Sequence, residues 1–304
     1  MAELLTALVL TSPPGAGDLE EATVASVRAD LKGGEIREES WLGPGEAWQA
    51  LFVAEDGLDL ELLRARLAAG ISAQSIDVNI IPGAHEWRRK KLLVADMEAT
   101  IIEQECLDEL ASYVGLRDRV AGITKRAMRG ELDFESALKE RVALLKDLGS
   151  DVLETVYSRV SLMPGAETLV ATTRQHGATC ALVSGGFTFF ASRVAARLGF
   201  DTCQANVLEM AGSRVAGTVA MPILGREAKQ AVLERLRHEL ELVESQTLAV
   251  GDGANDLGMI KTAGLGVAFR AKPIVAAEAQ ASIVHGDLTA LLYLQGYRKE
   301  EFVT

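Results

Sequence analysis

Four segments, far apart in the chain, carry side chains that could work on a phosphate ester. Asp96-Met97-Glu98-Ala99-Thr100 follows a short apolar run. Alone, its two acidic groups are equally well explained as turn residues that end a strand. Ser184-Gly185-Gly186-Phe187 ends another apolar run and offers a hydroxyl and glycine-supported amides opening a helix, a suitable anion cradle. Gly251-Asp252-Gly253-Ala254-Asn255-Asp256 adds two carboxylates and an amide, and Lys229, in a helical stretch before it, is able to neutralise phosphate charge. A carboxylate nucleophile, an anion cradle, a lysine and oxygen ligands of the kind magnesium selects make a phosphoryl-transfer set.

These segments need a frame that brings them together. From Lys91 onward, short apolar runs bounded by Gly or Asp (LLVAD, TCALVSGG, TLAVGDG, LGVAF) alternate with helical patterns. Such alternation predicts an α/β fold, a mostly parallel sheet wrapped by helices, with ligands bound where strand carboxyl ends meet a topological switch point. Between the first two runs lie about 80 residues, too many for a direct crossover, and helical patterns fill most of them. Residues 103–160 are expected to form a helical cap over the active edge. Within it Phe134, Leu138, Leu145 and Leu148 make an apolar stripe at helical spacing, and Arg141 lies on the same stripe. A buried guanidinium needs an anionic partner. Both an ion pair within the cap and a clamp on a substrate carboxylate satisfy that need.

Residues 1–85 read as strand, helix, strand, helix, strand, and 35–42 can add a further strand, giving a small α+β unit ahead of a phosphatase-type domain at 86–304. Pro82-Gly83 and the charged run HEWRRKK mark the boundary, the run being read as a solvated approach to the next strand. The net charge of −12 argues against a nucleic-acid partner. No apolar run approaches membrane-spanning length, and the first residues read as a β-strand, since no Lys or Arg precedes the short apolar stretch. Cys106, Cys180 and Cys203 lack metal-type spacing and fit buried thiols in a reducing cytoplasm.

In their order, DMEAT, SGGF, Lys229 and GDGAND resemble the haloacid dehalogenase superfamily of phosphohydrolases. IIEQECLDEL, ITKRAMRGELDFESALKERVALLKDL, ALVSGGFTFF, LAVGDGANDLGMIKTAGLGVAF and AKPIV extend the likeness, over roughly residues 91–295, to the phosphoserine phosphatases within it. The resemblance implies a Rossmann-like core, a helical cap, magnesium dependence and hydrolysis of O-phosphoserine to serine and phosphate as the last step of serine biosynthesis. It assigns Asp96 as the nucleophile and a metal ligand, and Glu98 as the general acid and base, with its carbonyl on the metal. Asp252 completes the metal site, while Asp256 and Asn255 support it or orient the substrate. Ser184, the Gly185 amide and Lys229 hold the phosphate. Glu105 corresponds to the contact with the substrate ammonium, Arg141 to the contact with its carboxylate, and Met128 and Phe134 to apolar neighbours of the substrate. The amino-terminal unit looks like the small ACT-like domain that precedes some members, and a homodimer is an expectation of such an appended unit.

One position departs from the family's DxDxT: Glu98 stands at the second Asp, and Ala99 where these phosphatases usually have Ser. A seryl alkoxide leaves poorly, so the acid must deliver a proton as the P–O bond breaks. Glu can do so, but its extra methylene adds about 1 Å of reach, and such misplacement can cost about a hundredfold in rate. Either a backbone adjustment absorbs that length or the enzyme is slow. Two other readings accommodate the motifs: transfer of phosphate to a small alcohol, and a catalytically silent amino-acid sensor, which Glu98 and Ala99 motivate.

Overall fold

The computed structural model of the protein describes residues 5–83, 88–128 and 131–303. The expected domain boundary near residue 85 falls outside the described residues. The first part of the chain runs β1 (Leu5–Thr11), α1 (Glu21–Asp30), β2 (Gly34–Gly43), β3 (Ala47–Ala54), α2 (Leu60–Gly70) and β4 (Asp77–Ile81). Its strands form an antiparallel sheet in the order β2-β3-β1-β4, so 35–42 does supply a strand. Alternation decides what each face meets. Leu8, Leu10, Phe52 and Val78 pack on Val24, Val27, Leu63 and Leu67 of the two helices. Ala7, Val9, Ala47 and Leu51 join the core of the rest of the chain. β1 is therefore buried at every position.

The second part begins at β5 (Leu92–Ala95) and continues through α3 (Cys106–Tyr113), α4 (Arg117–Met128), α5 (Phe134–Ala143), α6 (Ser150–Tyr157) and α7 (Ala166–Gln175). Then come β6 (Thr179–Phe187), α8 (Thr188–Leu198), β7 (Thr202–Asn206), the hairpin β8 (Leu208–Ala211) and β9 (Arg214–Val219), and α9 (Arg226–Glu239). β10 (Thr247–Gly251), α10 (Leu257–Thr262), β11 (Leu265–Phe269), α11 (Pro273–Ala276), β12 (Ala281–Ile283) and α12 (Ala290–Leu294) complete it. Six of these strands form a parallel sheet in the order β12-β11-β10-β5-β6-β7. β5, β10 and β11 are buried throughout, as strands covered on both faces must be. The chain leaves β5 for β6 on one side, whereas β10 lies on the other, so the switch point is at the carboxyl end of β5.

Helices α3 to α6 form the cap. Asp133 starts α5 by accepting the Ser136 N–H at 2.8 Å. The helix expected to run to residue 148 stops at Ala143, where bonds to the third preceding carbonyl take over, and Asp147 turns left-handed with φ +66°. Leu145 and Leu148 stay buried beyond the helix end. The turn is braced by β9, where Asp147 N–H donates to Val215 O at 2.9 Å and Val215 N–H to Leu148 O at 2.8 Å.

Polar side chains of the amino-terminal unit dock the two sheets edge to edge. Fully buried Asn79 donates to Ser282 O at 3.0 Å and accepts from Ser282 N at 2.8 Å, so its amide stands in for a strand partner of β12. The Asp77 carboxylate accepts N–H bonds from Val284, His285 and Gly286. The described part of the basic run, 88–91, is not wholly the solvated approach its charge predicts. Arg88 is drawn between Gln49 Oε1 and the Leu294 carbonyl, Lys90 is buried with its Nζ donating to Ser245 O, and Arg89 lies over the Tyr297 ring. Asp77→Ala would leave three N–H donors, that of Gly286 buried, without their acceptor. It is expected to lower stability by about 2–4 kcal/mol, read as a lower urea midpoint at unchanged slope. Among the described residues no helix is long and apolar enough to cross a membrane.

Candidate functional site

A turn after β5 aims the first pair of acids. Thr100, Ile101 and Ile102 all direct their N–H groups at the Met97 carbonyl. Closing so tight a turn puts Ala99 at φ +52°, a left-handed conformation that a residue with a β-carbon adopts at some cost. Asp96 continues the ladder by donating its N–H to Val250 O at 3.0 Å. Its Oδ1 accepts the Met97 N–H at 2.7 Å and lies 2.7 Å from Lys229 Nζ. Both contacts fall on Oδ1, which leaves Oδ2 the less encumbered oxygen.

Lys229, on the buried face of α9, also donates to Asp256 Oδ1 at 2.6 Å. Asp256 Oδ2 accepts the Gly253 N–H at 3.0 Å. A β-carbon on Gly251 would lie 2.4 Å from Asp256 Cγ, so glycine is required where β10 ends. Burial alone would lower the Lys229 ammonium, but the charges of Asp96 and Asp256 outweigh it and hold the lysine protonated. Burial, and then the neighbouring Asp256 carboxylate, push the Asp96 and Asp252 carboxyls up.

Carboxylate oxygens of Asp96, Asp252 and Asp256 all lie within 4.8 Å of one another. Hard oxygen donors this close together, with one lysine among them, are the chemistry a divalent cation fits, because its charge offsets their repulsion. Asp256 belongs to this cluster as well as to the lysine.

A cavity of about 350 Å³ opens over the carboxylates, with Asp96, Glu98, Asp252 and Asn255 contributed by the sheet. Glu105, Phe134 and Arg141 come from the cap, and Gly185 and Gly186 from the end of β6. Ser184 lies beneath that lining: it is fully buried, and its Oγ accepts the Gly186 N–H at 2.9 Å. The side chain of Met128 lies outside the described residues. Phe134 sits against two glycines. A β-carbon on Gly185 would lie 3.3 Å from its Cζ, and one on Gly225 would lie 3.2 Å from its Cδ1. Arg141 reaches the cavity with its Nε donating to Ala137 O at 3.3 Å, and no carboxylate pairs with it among the described residues. The ion pair within the cap is thus not formed.

Glu98 is half-buried and its Oε1 accepts the Cys106 N–H at the start of α3, at 2.8 Å. Loss of water pushes its carboxyl up against the pull of that bond. The Glu105 carboxyl is pushed up to about 7, first by its removal from water in the cleft and then by Glu98, Asp252 and Asp108, although part of the residue is exposed.

Two features were not read from the sequence. Asn206, at the end of β7, donates to Gly185 O at 2.8 Å and to Leu224 O at 3.2 Å while accepting from Leu224 N at 2.6 Å. It ties the β6 end to the segment before α9, and an asparagine closing the short strand β7 was the available signal. Lys272, before α11, also lines the cavity and its charge opposes the rise at Asp252. The Ala-Lys-Pro stretch containing it was noted only for its likeness.

Comparison with known proteins agrees with this geometry. The model of the haloacid dehalogenase-like hydrolases matches residues 93–261. A protein of Streptomyces coelicolor named phosphoserine phosphatase is 41% identical over 252 residues, 83% of this chain and 62% of that protein's own length, just under two thirds. A probable phosphoserine phosphatase of Schizosaccharomyces pombe is 41% identical over 76% of this chain and 78% of its own length. The crystal structure of a probable phosphoserine phosphatase from Vibrio cholerae, in unliganded form, superposes with a TM-score of 0.77 at 30% identity, over 99% of this chain and 88% of that one. A family match over more than half of the sequence, on the strands that carry the carboxylates, settles the relationship: this chain belongs to the haloacid dehalogenase-like hydrolase family.

Proposed function

We propose that the protein is a magnesium-dependent phosphoserine phosphatase acting in the cytoplasm through a phosphorylated Asp96. One observation carries the reading: a single cavity is lined on the sheet side by Asp96, Glu98 and Asp252 and on the cap side by Glu105 and Arg141. Its size suits a small molecule. The substrate's phosphate, ammonium and carboxylate each find a group of opposite charge or a charge-neutralising partner.

Asp96 Oδ2 attacks phosphorus, and the bond from phosphorus to the seryl oxygen breaks as Glu98 delivers a proton to that oxygen. Glu98, now ionised, takes a proton from water, whose oxygen attacks phosphorus and displaces the Asp96 carboxylate. Lys229 holds Asp96 through Oδ1 and offsets negative charge throughout both steps. Asp96 and Asp252, with the Glu98 carbonyl and Asp256 in support, would hold magnesium, whose positive charge would keep Asp96 ionised and offset the phosphate. Glu105 and Arg141 orient the amino-acid end, Phe134 flanks it, and Ser184, Gly185 and Asn255 complete the cradle.

Phosphate release with and without magnesium, from O-phosphoserine and from phosphoethanolamine, tests this reading. The second substrate lacks the carboxylate assigned to Arg141. Arg141→Ala is expected to lower kcat/KM for phosphoserine about 10–100-fold more than for phosphoethanolamine, the worth of a charge-assisted contact. Equal losses on both substrates would make Arg141 a structural residue of the cap. Absence of magnesium-dependent release from phosphoserine would refute the assignment as a whole.

A further inference from the structure

Glu98 and Gly186 meet as a fitted pair. A β-carbon on Gly186 would lie 2.8 Å from Glu98 Oε2 and 3.0 Å from both its Cδ and its Oε1. On the other side, the Cys106 N–H fixes Oε1 at 2.8 Å. The carboxylate is held between a helix-opening amide and a space that exists only because residue 186 has no side chain. The backbone of residue 186 does not itself demand glycine. Its φ lies outside the left-handed region, and its one side-chain partner, Ser184 Oγ, is bonded through the N–H that alanine keeps.

We infer that Gly186 is a positioning residue for Glu98, its missing β-carbon providing the slot that takes the Glu98 carboxylate, which one extra methylene carries further out than an aspartate's. The left-handed turn at Ala99 aims the side chain, the Cys106 amide anchors one oxygen, and Gly186 sets how far the carboxylate can lie from the seryl oxygen. This rests on the phosphatase reading with Glu98 as its acid and base. Alanine at 186 is not expected to unfold the protein, because the atoms it meets are the far end of a flexible side chain. The effect falls on catalysis, where a displacement of about 1 Å costs about a hundredfold.

The test is a cycle of four proteins: parent, Gly186→Ala, Glu98→Asp and the double variant. Each is assayed for phosphate release from O-phosphoserine with magnesium, and Gly186→Ala and the double variant are crystallised. In the parent background Gly186→Ala is expected to lower kcat about 10²-fold while KM changes less than about threefold. In the Glu98→Asp background, where the shorter side chain withdraws from residue 186, the same alanine is expected to cost less than about threefold. In the Gly186→Ala crystal the Glu98 carboxylate is expected to have left the Cys106 N–H, and in the double variant the shorter carboxylate is expected to stand clear of the added methyl. Equal losses in both backgrounds, no loss in the parent, or an unmoved carboxylate would overturn the inference. A parent that releases no phosphate from phosphoserine would sink the functional reading instead, and the crystal structures would still decide the pairing.

Discussion

Asp96→Asn is expected to reduce phosphate release at least about 10³-fold while the protein stays folded. The amide keeps the shape of the carboxylate, and its oxygen can still accept the Met97 N–H and the Lys229 ammonium. What it loses is the anionic oxygen that must form the bond to phosphorus, together with one charge of the Asp96, Asp252, Asp256 cluster. The same substitution should not lower thermal stability. Asp96 is buried and crowded by Asp256 and Asp252, so removing its charge relieves repulsion that the fold otherwise tolerates for function. Lys229 retains Asp256 at 2.6 Å and is not left unpaired. A melting temperature at or above that of the parent, with turnover lost, is the expected pair of results. Near-normal turnover in a preparation free of contaminating phosphatase would rule out a phospho-aspartate.

How much of this was legible in the sequence follows from where the forces lie. β5, β6, β10 and β11 announce themselves because a strand covered on both faces must be an apolar run, and the glycines and aspartates at the ends of β5, β6 and β10 belong to the site. β1, β3 and β4 were equally readable, since they meet helices on one face and the larger core on the other, whereas the more exposed β2 was only an optional strand in the sequence. The hairpin β8–β9 was missed because its first strand is mostly exposed and Gly217, at φ +84°, interrupts the second. β12 was missed because three residues carry too little periodicity, and its neighbour across the edge is a side-chain amide, Asn79. The basic run misled for a related reason. Charge density does not reveal that Arg88 and Lys90 find carbonyls contributed by residues about 155 to 206 positions away.

At the site, motif order identified the carboxylates, Lys229 and the cap residues. It did not show how Glu98 is accommodated, because that depends on three distant points meeting: the Ala99 turn, the Cys106 amide and the bare Gly186. Of the two alternatives the sequence left open for the longer acid, the left-handed Ala99 and the bare Gly186 favour the first, in which the length is absorbed locally.

That accommodation makes Glu98→Gln a clean substitution. Gln is isosteric, its Oε1 can keep the Cys106 N–H, and it fits the same space beside Gly186. It cannot give a proton to the seryl oxygen and then take one from water. Phosphoserine turnover should therefore fall by about 10²–10⁴-fold, the range for general acid–base catalysis. Loss of water already pushes the Glu98 carboxyl up, which favours the protonated form needed in the first step. The two steps separate by leaving group. p-Nitrophenolate departs with little protonation, so the variant should phosphorylate Asp96 faster from p-nitrophenyl phosphate than from phosphoserine, yet lose the phosphate slowly, because the water still lacks its base. Rapid-quench measurement of the phospho-enzyme is expected to show it forming from the aryl ester and accumulating. Formation from phosphoserine as fast in Glu98→Gln as in the parent would mean that the seryl oxygen receives its proton from another group. Glu105, across the same cavity with its carboxyl pushed up to about 7, would be the first residue to substitute next.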